Sequence, residues 1–186
     1  MAAPTLPTSA PAAPAPPVSP PVSPPLAAVI RDLGAVRRDR LRALEWTVAG
    51  AAKVLGPAEV GFARFNGSVS VGGDLTAEEL TGRGELLVGG KGRFARTLSV
   101  AGTSRFLSDV SAGELLSRGR LEVAGGLSVT DAARVQGTFE LTGALRAGTL
   151  TFAGSIRAGG PVTAGRVVGT IEGACRTGPI RAREVE

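Results

Sequence analysis

A glycine returns every seventeenth or eighteenth residue through most of this chain, and each brings the same neighbours with it. Apolar residues follow two, four and eight positions later, with a small residue at six. Gly67 is followed by Val69, Val71, Gly73 and Leu75; Gly119 by Leu121, Val123, Gly125 and Leu127. Gly137 leads to Phe139, Leu141, Gly143 and Leu145, and Gly154 to Ile156, Ala158, Gly160 and Val162. The copy from Gly84 keeps Leu86, Val88 and Gly90 and then departs, and the copy from Gly102 keeps only Phe106, Ser108 and Val110. With Gly169 added, the starts at 67, 84, 102, 119, 137, 154 and 169 are 17 residues apart on average. A second pattern shares this period: Leu75-Thr-Ala-Glu-Glu-Leu80, Val110-Ser-Ala-Gly-Glu-Leu115, Leu145-Arg-Ala-Gly-Thr-Leu150 and Val162-Thr-Ala-Gly-Arg-Val167.

Period-two alternation inside each unit sends side chains inward and outward in turn, as on a β-strand. Glycine suits corners, where the backbone is strained or another chain segment passes close. A constant period built from two patterns is the signature of a solenoid. The reading is therefore all-β: a right-handed parallel β-helix of six to seven coils, the hand following from the chirality of parallel crossovers. Strands about 4.8 Å apart would make a column roughly 30 Å long. Aromatic residues make up 4% of the chain, so the core must be narrow and built from Val, Leu and Ala.

Three segments follow from composition. Ten of the 13 prolines precede Leu26, so 1–25 reads as an extended Pro/Ala-rich tail, a spacer or a ligand for a protein partner. In 26–56, Leu26, Val29, Ile30, Leu33 and Val36, then Leu41, Leu44, Val48, Ala52 and Leu55, recur at three- and four-residue steps. That spacing predicts an amphipathic helix. Two placements suit it: on an anionic membrane surface, or packed on the body as a cap over one end. The residues that would serve are Val29, Ile30, Leu33, Arg37, Arg38, Leu41, Leu44 and Trp46. The β-helix domain is assigned to 57–186.

No catalytic constellation emerges, and no cofactor or metal is expected. The chain has no histidine, and its period is not the six-residue multiple of left-handed acyltransferase helices. The acidic pair Glu78-Glu79 reads as a solvated corner, and Cys175 as a small buried residue without a base to activate it. Gly89-Gly90-Lys91-Gly92 lacks the Lys-Ser/Thr ending of a phosphate loop. Of the net charge of +5, 26–56 carries +3 and the aromatic-poor body after it is nearly balanced at +2, so nucleic-acid binding is not expected. With one cysteine, no run of 18 apolar residues and no basic-then-apolar start, the chain is expected in the cytoplasm, with the inner membrane face as an alternative.

Such a glycine-rich helix of about 17-residue coils, as in Gly67-Ser-Val-Ser-Val-Gly-Gly-Asp-Leu75, with a proline-rich extension, resembles the bactofilins over roughly 60–183. The resemblance implies a polymer-forming cytoskeletal protein whose non-polar filaments need no nucleotide and often attach to the inner membrane. The chain departs from the family in having one tail rather than two and a longer segment before the body. Separately, the uncapped ends of any solenoid expose backbone groups and inward apolar residues that template another copy. Phe62, Phe65 and Val69 by the first coil, and Ile171 and Ile180 by the last, are the candidate contacts for end-to-end self-association. A non-polymerising scaffold, capped at one end by the 26–56 helix, is the alternative.

Overall fold

The computed structural model describes residues 29–185, apart from the side chains of 171–175. These residues form one parallel β-solenoid of about nine turns. Its strands are β1 (Ile30–Arg38), β2 (Leu41–Val54), β3 (Ala58–Val71), β4 (Leu75–Val88), β5 (Gly92–Phe106), β6 (Val110–Val123), β7 (Leu127–Leu141), β8 (Leu145–Ala158), β9 (Val162–Thr177) and β10 (Ile180–Val185). Each pairs in parallel with the next in chain order. Every long strand is one coil that bends at two corners; a third corner joins it to the following strand.

One corner is glycine throughout. Gly34, Gly50, Gly67, Gly84, Gly102, Gly119, Gly137 and Gly154 have φ between 82° and 134°, and the register sets each opposite the next. A side chain is excluded here twice over. A positive φ strains any β-carbon, and from Gly50 onward that carbon would run into the carbonyl of the stacked glycine below.

Inward residues step along each coil by two, three, two, four and two. In β4 these are Leu75, Ala77, Leu80, Gly82, Leu86 and Val88; in β2 they are Leu41, Ala43, Trp46, Val48, Ala52 and Val54. All twelve are buried. The solenoid therefore begins at Ile30 rather than 57, and the helix expected over 26–56 is replaced by β1 and β2, which gives about nine turns instead of six to seven. Of the expected apolar stripe, Leu33, Leu44 and Leu55 are exposed. Three- and four-residue steps arose because each corner resets the alternation. Gly50 is a repeat start, followed by Ala52, Val54, Gly56 and Ala58. The tail 1–25 lies outside the described residues.

Coil length varies in few places: the first step, Gly34 to Gly50, is 16 residues, and β9 carries two extra residues between Ile171 and Cys175, opposite Gly154 and Ile156. β5 and β7 each carry one extra residue at the second corner, where pairing skips from Phe94 to Thr97 and from Val129 to Ala132. The coils that step by 18 are these two. At the far end, Gly169 pairs with Phe152, and Ile171 stands opposite Gly154. The seventh start is thus residue 171, not 169, and its step is 17.

Apparent defects in the repeat are exchanges of volume between neighbouring positions. Gly92 occupies an inward site that holds a larger apolar residue in the other coils, among them Leu75, Val110 and Leu127, and Phe94 and Phe106 close over it edge to face, with centroids 6.2 Å apart. A β-carbon on Gly92 would come within 3.0–3.2 Å of both rings. Phe65 likewise lies across Gly82, and Phe152 across Gly169. Core packing at this density tolerates a missing side chain only where a neighbour fills it.

Replacing Gly84 by Ala should lower stability by about 2–4 kcal/mol, from backbone strain and contact with the Gly67 carbonyl. Gly126→Ala, whose nearest neighbour would be 3.5 Å away, should change it by less than about 0.5 kcal/mol. Chemical denaturation of the two variants checks the contrast; equal shifts would refute the corner assignment.

Candidate functional site

The sides of the column carry corner hydrogen bonds and ion pairs between coils. The Gly89-Gly90-Lys91-Gly92 segment is a corner: the Lys91 amide donates to Asp74 Oδ1 at 2.8 Å, and Gly90 leaves room for that carboxylate. Asp109 Oδ1 accepts from the Gly126 amide at 2.8 Å in the same way. Glu78 is exposed at its corner and Glu79 is half-buried beside it. Arg105, Arg120 and Arg157 interleave with Glu122 and Glu140 across four adjacent coils. A hydrogen bond from Arg105 holds the Glu122 carboxyl below its usual range. A shallow groove of about 340 Å³ is lined by Lys91, Arg93, Ser111, Ser128 and Arg146, and Asp109 at its edge is engaged by the Gly126 amide. Among the described residues no three His, Cys, Asp or Glu side chains gather into a metal site.

The two ends differ in kind. At the N-terminal end, β1 places Ile30, Asp32, Val36 and Arg38 in register with the inward Trp46, Val48, Ala52 and Val54 of β2. Two charged residues therefore stand where the coil beneath has Val48 and Val54. They meet across the column. Arg38 donates to Asp32 from Nη2 at 2.5 Å and from Nε at 3.2 Å, and the Trp46 indole donates to Asp32 at 2.9 Å. Asp32 is 3% exposed and the Arg38 side chain 35%. All of the carboxylate's strong partners are thus charged or N–H donors, which is what lets it stay ionised under cover. The Arg38 hydrogen bond lowers its pKa most; desolvation opposes this, and Trp46 and the Arg38 charge add to the lowering.

The C-terminal end has no such layer. β10 covers only Val162–Val167 of β9, and among the described residues no strand follows on its outer side. Ile180, Ala182 and Val185 stand over the inward Val162, Ala164 and Val167. Ile180 is 50% exposed and Val185 70%, although their positions belong to the core elsewhere in the column. Backbone edge and apolar residues are presented together.

The expected contact residues divide accordingly. Ile180 lies at the terminal coil; Ile171 is in β9, its side chain outside the described residues. Phe62, Phe65 and Val69 belong to β3, two strands in from the N-terminal end. Phe65 and Val69 are core, and Phe62 is 38% exposed on the side. Of the residues expected on a helix, Leu41 and Trp46 are core, Ile30 is half-buried, Val29, Leu33, Leu44 and Arg37 are exposed, and Arg38 is the partner of Asp32. Among the described residues of this segment, 30–38 and 41–54 are strand and present no helical apolar face. The Asp32–Arg38 pair was missed, because on a helix both read as solvated charges; only strand register turns them inward.

Comparison of the chain with protein-family models, with characterised proteins and with solved structures returns no match. The solenoid of about 17-residue turns is consistent with a bactofilin-like fold.

Because the Asp32 carboxyl titrates lower when folded than its ordinary 3.8, its contribution is complete above that value and is lost as pH falls through the folded pKa. Amide exchange across 30–38 should accelerate below about pH 4 ahead of exchange in β4–β8. Uniform acceleration along the column would contradict this placement of the pair.

Proposed function

We propose that this chain is a structural protein, not a catalyst, which associates with further copies of itself by continuing the solenoid from one chain into the next. The observation that carries the reading is the coil β10, where Ile180 and Val185 occupy core register yet stand largely open, with Ala182 half-buried between them, beside a strand edge that is unpaired among the described residues. A second copy would bury the side chains and pair the edge in a single step. Each large side chain so buried contributes about 1.5–3 kcal/mol, before the entropy of association is set against it.

The finer reading is a filament of the bactofilin type, growing without nucleotide, and it needs both ends of the column to join. A second reading, a solenoid module closed at one end, is favoured by the charged layer of Asp32 and Arg38. There the closing element is a strand in place of the expected helix. In either form the sides of the column, with their outward Arg, Glu, Ser and Thr, remain available to other molecules, and the segment 1–25 is free to serve as a spacer or partner ligand.

Sedimentation velocity of the purified chain over a range of concentrations tests the reading. The wild type should exceed the mass of one 18.7 kDa chain, and an Ile180→Arg/Val185→Asp double variant should sediment as a folded monomer. Association undiminished in that variant would remove the C-terminal coil from the contact.

A further inference from the structure

We propose that the Asp32–Arg38 pair is a lid that prevents the N-terminal end from accepting another copy, so that association stops at a two-fold dimer joined through the C-terminal coils. The inference rests on the self-association reading and narrows it to one end and one partner, a second copy of this chain.

Three observations bear on it. The inward positions along the column form continuous rows: Val48, Phe65, Gly82, Val100, Ser117, Val135 and Phe152 in one, and Val54, Val71, Val88, Phe106, Val123, Leu141 and Ala158 in another. The N-terminal coil ends these rows with Asp32 and Arg38, the only inward charges along them. The pair is already complete, with both carboxylate oxygens engaged and the Trp46 N–H spent on the same group. A C-terminal coil stacked on top would strip water from the 35%-exposed Arg38 side chain and offer apolar side chains in return, and a second N-terminal coil would bring another pair that is already complete. At the opposite end, Ile180, Ala182 and Val185 carry no charge at any inward position.

Geometry then limits the product. A column with two competent ends can grow indefinitely, either head to tail or by alternating like ends, and both arrangements require the N-terminal coil. With that coil closed, the remaining contact joins like to like. The two columns share one axis, related by a two-fold perpendicular to it, and the two copies of β10 run antiparallel. Such an isologous contact uses the same patch twice and closes. It also places Val29 and β1 of each copy at the outer tips of the pair.

The test uses the full chain and two variants, with far-UV circular dichroism and thermal melts to establish that each is folded. In sedimentation velocity the wild type should reach twice the single-chain mass of 18.7 kDa and go no further at the highest concentration. Arg183→Cys, in a Cys175→Ser background, should crosslink to its own counterpart, because Arg183 lies in β10 near the two-fold. Asp32→Val/Arg38→Leu restores the apolar rows and should form species beyond the dimer, visible as filaments by electron microscopy. Wild-type filaments would overturn the lid and leave the self-association reading standing. A folded lid variant that remains dimeric would also overturn it. Wild type and lid variant both monomeric throughout would defeat the self-association reading itself, and the lid with it. For scale, Val185→Asp alone should weaken the dimer roughly a hundredfold, as expected for a buried contact at the centre of an interface.

Discussion

The close stacking of one backbone corner upon another is the constraint from which this molecule follows. Along the row from Gly34 to Gly154, each carbonyl occupies the space that a β-carbon on the next coil would need. Only glycine satisfies both that contact and the positive φ. Because the row is unbroken from coil to coil, every intervening segment must return to the same point after 16 to 18 residues. Coil length, inward register and the width of the core are all consequences. A core two or three side chains across cannot hold many rings, which is why aromatic residues are scarce and why Phe65, Phe94 and Phe106 each sit beside a glycine.

Much of this was legible in the residues themselves. The glycine period and the alternation around it specify a parallel solenoid from residue 67 onward without reference to any relative. The failure over 26–56 is instructive because the information was present. Inward steps of two, three, two, four and two average close to three, so any window that spans a corner also contains residues spaced by three and four. Leu41, Leu44, Val48, Ala52 and Leu55 form such a set, and two of the five are exposed residues beside corners. Lining up Gly50, Ala52, Val54, Gly56 and Ala58 with the later coils would have resolved the ambiguity. The repeat there is weaker because alanine replaces valine and leucine.

The ends were less legible, since an end is defined only once the number of coils is known. Phe62 and Phe65 stand at an end only if the chain before them is helical; with two strands before them they are a side residue and a core residue. Asp32 and Arg38 are six residues apart, a separation that places them on no common helical face. In the solenoid the intervening glycine corner turns the chain so that they face one another across the column. Hydrogen bonding from Trp46, one coil below, completes an arrangement that no local pattern contains.

The extra residues in β5 and β7 have a consequence of a different sort. Both fall at the same corner, and neither disturbs the glycine row or the inward register that resumes after it. That corner is therefore a site where length is decoupled from architecture. Segments inserted at Ala95-Arg96 or Thr130-Asp131 would project from one edge of the column, at heights fixed by the coil to which they belong. A chain of this kind can acquire recognition elements one coil at a time, like pegs added to a rail, while the rail itself stays unaltered.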